Sequence, residues 1–424
     1  MSLLFYIPIG ILSGMALWSL YLRIFKKLSL PAQITRLVFH SFRLQMKYWK
    51  GAKTMREGDS SLKNLSEEEL SLMNMMDTLI GKFDSEENKN LYVDNDFMDK
   101  NKKREEIIDE IIKFRTSLPG GIHQSKAGPF YLPDEKIFLR ETFELPNKHP
   151  SIYFNFHDKL EESKRNSICN KFGRVALIHF HGGGYLMGEP STCYTLENIC
   201  STNGFDLFGV DYSLYPEHTI EDAIEDAFKA FKWLVDEKGA KHVISIGESA
   251  GGHLATMLVD RIAQERQQNG LDDKYNCIVG VIGLSPWCDV TMTSPGMCDA
   301  KHVDRALPNK ALNQFKKWGI PLGFNQLERG KNLSPNYFSK DRIDRMKDIT
   351  NRFLFSYSRN ERLTLEIDKF ISILNKNNFS VEKHVETIPF HCFHIFCDFI
   401  PAIFSKLESQ IVSFIEKGVQ QSQK

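Results

Sequence analysis

Short apolar runs recur through the last two thirds of the chain, separated by longer stretches in which polar and apolar residues are mixed. Three of these runs are rich in β-branched or aromatic side chains and predict central strands: residues 174–180, 242–246 and 352–356. Residues 380–386 alternate polar and apolar side chains and predict a final strand, and the residues from 250 onward fit a helix. The pattern indicates a large α/β domain.

Three other segments complete the pattern. Residues 137–145 and 151–156 flank a segment with two prolines and predict an antiparallel hairpin that opens the sheet. Residues 57–117 are charged and lightly apolar, which predicts weak helices with a solvated loop at residues 85–104. Residues 290–333 are irregular but carry Met and aromatic side chains, which suit a cap over an apolar substrate, although a plain core helix would carry the same residues.

The N-terminus has a different character. Residues 3–22 are twenty residues without a charge, enough for a helix to cross a hydrocarbon core of about 30 Å. A cleaved signal peptide is the alternative, but aromatic and basic side chains follow instead of a small-residue cleavage site. Residues 23–56 interleave basic and apolar side chains before the first acid, Glu57, which suits an anionic bilayer surface.

Composition adds two limits. The 424 residues carry equal numbers of acidic and basic side chains, so nothing indicates a nucleic-acid partner. With 42% hydrophobic residues, the chain can hold one large α/β domain with helical additions.

A G-x-S-x-G segment centred on Ser249 follows the predicted strand at residues 242–246. Small residues on either side of the serine permit a tight, strained turn between strand and helix, which exposes the serine Oγ above the sheet. Ser249 is therefore the candidate nucleophile. Taken alone the motif is only moderately specific, because glycine and serine are common.

A second segment, HGGGY at residues 181–185, follows the predicted strand at residues 174–180. Its glycines allow backbone N–H groups to approach a ligand oxygen closely. We predict that the amides of Gly182, Gly183 and Ala250 form an oxyanion hole. A flexible or phosphate-binding loop is the alternative, but the segment lacks the lysine of a P-loop and the spacing of a dinucleotide fingerprint.

Together with DYSLYPEH at residues 211–218 and LSPWCD at residues 284–289, these motifs closely resemble the hormone-sensitive-lipase-like branch of the α/β-hydrolases. The resemblance runs from about residue 150 to the C-terminus. It implies a mostly parallel eight-stranded sheet flanked by helices, with a helical cap. The apolar N-terminal segment makes the chain most similar to the arylacetamide deacetylase group, and its length and layout resemble fungal sterol deacetylases.

In this fold the acid and the base follow the serine along the chain, each after a late strand. Glu361 lies in a loop that resembles the family's acid loop, although aspartate is more usual there; Glu366 and Asp368 are alternatives. For the base, His391 fits the family's pattern better than His394. The resemblance also makes His181 a structural residue of the glycine loop.

These residues predict a serine esterase that needs no metal and no organic cofactor. The expected substrate is a lipophilic ester, and the resemblance points to steryl acetates. A broad carboxylesterase or amidase, or an acylglycerol lipase, is the closest alternative enzyme. A receptor that has lost catalysis is less favoured, because all three triad candidates are present.

The predicted organisation is a membrane-spanning signal-anchor at residues 1–22, a basic and charged helical region at residues 23–135 that contributes to the cap, and a catalytic domain at residues 136–424 with a cap insertion at about residues 290–333. Positive charge after the apolar segment favours a cytosolic domain, whereas the resemblance implies the lumen of the endoplasmic reticulum, which we favour. Asn64, Asn332 and Asn378 are candidate glycosylation sites. Eight cysteines permit disulfides without requiring them.

Overall fold

The computed structural model describes residues 70, 104–117, 140–144, 150–188, 190, 194–294, 304, 306–307, 309–320, 327–395 and 400–423. The strands are β1 (Arg140–Glu144), β2 (Pro150–Phe154), β3 (Val175–Phe180), β4 (Asp206–Val210), β5 (His242–Glu248), β6 (Ile278–Leu284), β7 (Arg352–Ser358) and β8 (Ser380–Glu386). The α-helices are α1 (Arg104–Ser117), α2 (Phe156–Lys159), α3 (Ser167–Phe172), α4 (Tyr194–Asn203), α5 (Ile220–Asp236), α6 (Ala250–Asn269), α7 (Asn309–Lys317), α8 (Leu327–Leu333), α9 (Lys340–Lys347), α10 (Thr364–Lys376) and α11 (Pro401–Gln421).

All of these strands join one eight-stranded sheet in the order β1-β2-β4-β3-β5-β6-β7-β8. Strand β2 is antiparallel to both of its neighbours, and every pairing from β4 to β8 is parallel. Seven strands therefore run in one direction. The predicted mostly parallel eight-stranded sheet and its opening antiparallel hairpin are confirmed.

The central strands are mostly apolar because both of their faces are covered. In β3, Ala176, Ile178 and Phe180 pack on one face, in a cluster that includes residues from α5, α6, α9 and α10. Val175 and Leu177 alternate with them and pack on the other face, against residues of α3, α4 and α11. Side chains in a strand point alternately to opposite faces, so burial on both faces favours apolar residues at successive positions.

The parallel arrangement decides where chemistry can occur. The C-terminal ends of β3, β5, β7 and β8 lie along the same edge of the sheet, because these strands run in the same direction. Loops that leave these ends converge there, where α/β sheets bind their ligands. The three triad candidates Ser249, Glu361 and His391 follow β5, β7 and β8 at this edge.

Several predictions fall on residues outside this description. Residues 3–22, predicted to span a membrane, and Asn64 are among them, and within the described part of the chain none of the helices has the length and apolarity to cross a bilayer. The side chains of Asn332 and Asn378 are exposed, as glycosylation requires. Glycosylation at these two positions stays a prediction. Five of the cysteines that the structure describes are buried and form no disulfide: Cys169, Cys200, Cys277, Cys288 and Cys392.

Candidate active site

Ser249 occupies the sharp turn between β5 and α6. Its backbone has φ 54° and ψ −118°, a conformation that costs a non-glycine residue free energy. A Cβ at Gly251 would lie 1.9 Å from the carbonyl oxygen of Phe180, and one at Gly247 would lie 2.4 Å from the carbonyl oxygen of Gly251. The turn therefore requires glycine at both positions, and it leaves Ser249 half-buried at the edge of the sheet.

His391 follows β8 and reaches this serine. Its Nε2 lies 2.8 Å from Ser249 Oγ, within hydrogen-bonding distance. The Sγ of the next residue, Cys392, lies 3.2 Å from the same nitrogen. The imidazole thus contacts the hydroxyl directly, in the geometry that a general base requires.

Glu361 lies in the turn after β7 and contacts the other imidazole nitrogen. The distance from Glu361 Oε1 to His391 Nδ1 is 3.2 Å. The second carboxylate oxygen accepts hydrogen bonds from Ser285 Oγ at 2.6 Å and from the Ser358 amide at 2.9 Å. The carboxylate is fully buried, so these donors fix its orientation and offset its loss of hydration.

Electrostatics couple the two groups. Burial disfavours the imidazolium, but the hydrogen bond and the negative charge of Glu361 outweigh it and raise the pKa of His391 above its usual value. Burial also raises the pKa of Glu361, against the opposing effects of the bonds from His391 and Ser285. The carboxylate thus makes His391 a stronger base, because it stabilises the protonated ring.

The alternative acids and base lie elsewhere. His394 Nε2 is 2.7 Å from Ser356 Oγ, inside the sheet. Glu366 accepts a hydrogen bond from the Cys288 amide at 2.9 Å, and Asp368 accepts one from Tyr357 Oη at 2.5 Å. The structure therefore brings together Ser249, Glu361 and His391, and it places the three alternatives with other partners.

Glu366 gives a prediction about stability. Burial and the nearby charge of Asp289 raise its pKa well above the ordinary value of 4.5. Between pH 4.5 and the raised pKa of the folded state, the carboxyl of Glu366 has lost its proton in the unfolded chain but keeps it in the folded chain. The free energy of unfolding therefore falls as the pH rises through this range. We expect Glu366→Gln to gain stability relative to the parent protein between pH 5 and pH 8, measured by urea denaturation. Identical pH dependence in the two proteins would contradict this account.

The predicted oxyanion hole needs one correction. The Gly182 amide donates a hydrogen bond to Glu248 Oε1 at 2.9 Å, so it is already occupied and the prediction that it binds an oxyanion was wrong. Within the described residues, no hydrogen bond occupies the amides of Gly183, Gly184 or Ala250. The available donors are thus shifted one residue along the glycine loop.

Glu248 is the residue that sequence reasoning overlooked. It is fully buried at the end of β5, where its Oε2 lies 2.7 Å from His179 Nε2 on β3. A buried carboxylate must find donors, and this one takes the Gly182 amide as well. An acid that ends an apolar strand, with a histidine on a second apolar strand, was the signal in the sequence.

His181 and Tyr212 pack against each other at the start of the glycine loop. Their rings stack with centroids 4.2 Å apart, and Tyr212 Oη donates to the His181 carbonyl at 2.5 Å. Burial lowers the pKa of His181 to about 4, so the ring is neutral and its Nδ1–H donates to the Gly182 carbonyl, 2.8 Å away. These contacts agree with the structural role that the resemblance implies for His181.

Gly183 allows a direct test of the loop. Its φ is +112°, and an added Cβ would lie 1.9 Å from the Met187 carbonyl oxygen. We expect Gly183→Ala to lower kcat for an ester substrate by roughly 10²- to 10³-fold, the typical loss for one oxyanion donor. In the control Gly173→Ala, φ is +91° but no atom lies within 4 Å, so we expect a stability cost of about 1–2 kcal/mol with kcat retained. Equal kcat in the two variants would contradict the prediction.

An apolar cluster lies beside the same loop. Ile107 and Ile111 of α1 pack with Leu186, Trp318 and Ile320. Phe315 packs against this cluster, and its ring lies 4.0 Å from where a Cβ of Gly184 would be. Helix α1, from the region predicted to contribute to the cap, thus contacts Trp318 and Ile320 of the predicted cap insertion, next to the glycine loop.

Among the described residues, no group of three or more His, Cys, Asp or Glu side chains is arranged to hold a metal ion.

Comparisons with known proteins find relatives that share this fold. A family profile described as alpha/beta hydrolase fold matches residues 177–395. Among solved structures, a hormone-sensitive lipase from a metagenome library aligns with a TM-score of 0.53 and 18% identity, covering 83% of this chain and 98% of its own. The esterase EstE5 aligns with a TM-score of 0.55 and 18% identity, covering 84% and 100%. At this identity the two structures establish the fold alone.

Curated relatives are similar over shorter segments. Esterase LipI of Mycobacterium tuberculosis is 36% identical over 198 residues, which cover 42% of this chain and 58% of the relative. Arylacetamide deacetylase-like 2 of Homo sapiens is 31% identical over 221 residues, covering 50% and 47%. Ethyl acetate hydrolase of Pseudomonas putida is 35% identical over 99 residues, covering 22% and 31%. The chain thus spans between 31% and 58% of the length of these relatives.

The family profile covers more than half of the 424 residues. Its range begins in β3 and ends after His391, so it includes the glycine loop, the serine turn and both late loops. The chain belongs to the α/β-hydrolase fold family and is similar to its hormone-sensitive-lipase-like members.

Proposed function

We propose that this protein is a serine hydrolase of carboxylic esters. The observation that carries the proposal is the unbroken series of contacts from Glu361 through His391 to Ser249, at 3.2 Å and 2.8 Å. A buried acid, an imidazole and a hydroxyl in this order form the arrangement that activates a serine for attack on a carbonyl carbon.

The reaction would proceed in two stages. His391 takes the Ser249 proton as Oγ attacks the ester carbonyl, and Glu361 stabilises the imidazolium. The amides of Gly183, Gly184 and Ala250 are the donors that could bind the developing oxyanion. His391 then protonates the leaving alcohol. Water, deprotonated by the same base, attacks the acyl-enzyme, and release of the acid restores the serine.

For the substrate we propose an acetyl or other short acyl ester of a lipophilic alcohol, with steryl acetates first. Phe315, which is only partly buried and lies beside the glycine loop, offers an apolar contact for such an alcohol. One relative is named an ethyl acetate hydrolase and another an arylacetamide deacetylase-like protein, which is in keeping with short acyl groups. The alternative is a broad carboxylesterase, amidase or acylglycerol lipase, in line with one relative named Lipase 2 and another named carboxylesterase/phospholipase LipF.

Purified protein tests both parts of this proposal. It should hydrolyse steryl acetate and p-nitrophenyl acetate faster than a long-chain triacylglycerol, and Ser249→Ala should hydrolyse none of them. Preference for the triacylglycerol would replace the sterol proposal with the lipase alternative. In cells, Ser249→Ala should cause steryl acetates to accumulate, whereas unchanged sterols with altered acylglycerols would contradict the sterol assignment.

We further propose that residues 3–22 anchor the protein in the endoplasmic reticulum membrane with the catalytic domain in the lumen. The uncharged stretch is long enough to span a bilayer, and Asn332 and Asn378 are exposed as acceptors must be. A gel shift upon endoglycosidase treatment, abolished when Asn64, Asn332 and Asn378 are all changed to Gln, would support the lumenal orientation. An unshifted protein in intact membranes, digested by external protease, would place the domain in the cytosol.

A further inference from the structure

A single buried carboxylate outside the triad contacts the backbone of both late catalytic loops. Asp304 belongs to the insertion between β6 and β7, and its side chain is fully buried. Its Oδ1 accepts a hydrogen bond from the backbone amide of His391 at 3.1 Å, and its Oδ2 accepts one from the backbone amide of Arg362 at 3.0 Å. The first amide belongs to the base itself, and the second belongs to the residue directly after Glu361.

The same carboxylate also orders its own segment. Oδ1 accepts the amides of Ala306 and Leu307 at 2.9 Å and 3.2 Å. The Leu307 carbonyl in turn accepts a hydrogen bond from Arg362 Nε at 2.7 Å. Arg362 thus donates a backbone and a side-chain hydrogen bond from the loop of Glu361 to the insertion, and Asp304 accepts the backbone one.

We infer that Asp304 is a positioning residue of the active site, which holds the loops of Glu361 and His391 in register and ties them to the insertion; this inference rests on the proposed hydrolase function. The physical reason is the geometry of the pair. Glu361 and His391 leave different strands, and each reaches the other only through its loop. Two amides bonded to one carboxylate fix the spacing of those loops, and a shift of about 1 Å in such a site can cost about 100-fold in rate.

The charge of Asp304 provides a readout that a merely structural residue would lack. The negative charges of Glu361, Asp304 and Glu248 each raise the pKa of the His391 imidazole, and the thiol of Cys392 lies 3.2 Å from its Nε2. Removal of one negative charge lowers that pKa. His391 must be neutral to act as a base, so the acid limb of the kcat/KM profile should then move to lower pH.

The test compares Asp304→Asn with a matched control. The asparagine keeps the shape but loses the charge and one acceptor. We expect kcat for p-nitrophenyl acetate to fall about 10- to 100-fold with KM little changed, the acid limb to move to lower pH, and the amides of Arg362 and His391 to exchange hydrogen faster. The control is Asp260→Asn, another buried aspartate, which binds Arg342 at 2.6 Å and 2.7 Å and lies about 15 Å along α6 from Ala250. We expect it to keep the wild-type kcat and acid limb.

Wild-type kcat and an unmoved acid limb in folded Asp304→Asn would overturn the inference. If this variant does not fold, Asp304→Glu replaces it, since the charge is kept and its reach is changed: kcat should fall while the acid limb stays in place, and wild-type kcat would overturn the inference. Failure of the proposed function is distinguishable. In that case the wild-type protein hydrolyses no ester and Ser249 takes up no fluorophosphonate probe, while the exchange rates at Arg362 and His391 still decide whether Asp304 holds the two loops.

Discussion

Replacement of Ser249 or His391 by alanine is expected to lower kcat for p-nitrophenyl acetate by roughly 10⁶-fold, and the double replacement should cost little more. The two side chains act as one unit, because Oγ is nucleophilic only when Nε2, 2.8 Å away, takes its proton. Steady-state kinetics of the three variants, with fluorophosphonate labelling to count active serines, measure this non-additivity.

His394→Ala is the matched control for the base. This histidine is also buried and lies three residues further along the chain, but it contacts Ser356 instead of the nucleophile. We expect lower stability with kcat retained. A loss of kcat in His394→Ala as large as that in His391→Ala would contradict the assignment, and so would losses that multiply in the double variant.

Glu361→Gln is expected to lower kcat by roughly 10⁴-fold, the scale seen when the acid of such a triad loses its charge. The amide keeps the size of the side chain, but it no longer stabilises the imidazolium or fixes the tautomer that leaves Nε2 free to accept the serine proton. The negative charge of Glu361 raises the pKa of His391, so its removal lowers that pKa. The acid limb of the kcat/KM profile should therefore move to lower pH as the plateau falls.

Two variants separate charge from position. Glu361→Asp keeps the charge on a shorter arm, and we expect it to recover part of the lost rate. Glu366→Gln removes a neighbouring buried carboxyl that binds Cys288 and Ser294, and we expect kcat to be retained. Full activity in Glu361→Gln, or a comparable loss in Glu366→Gln, would show that a different acid serves His391.

The two glycine-containing motifs could be interpreted from the sequence because their geometry is local. The turn at Ser249 needs glycine at positions 247 and 251, since a Cβ at either would meet backbone atoms. The strands before the motifs were predictable for a similar reason, because burial on both faces favours apolar runs such as residues 175–178 of β3.

The error at Gly182 shows the limit of local reasoning. Three consecutive glycines offer three similar amides, and nothing in their spacing says which of them is already bound. The answer depends on Glu248, which is 66 residues away in the chain and 2.9 Å away in space. The position of Asp304 is of the same kind, since its partner His391 is 87 residues further along the chain.

By itself, the sequence determined the hydrolase fold, the strained serine turn and the short set of residues able to serve as acid and base. Burial and backbone sterics act over a few neighbouring residues, so they leave local patterns in the sequence, such as apolar runs and glycines at tight turns. Only the tertiary structure decided which amide is free, where His391 and His394 each bind, and which buried carboxylates support the base. Those outcomes depend on hydrogen bonds between segments far apart in the chain, and a buried polar group takes whichever partner the fold brings within about 3 Å.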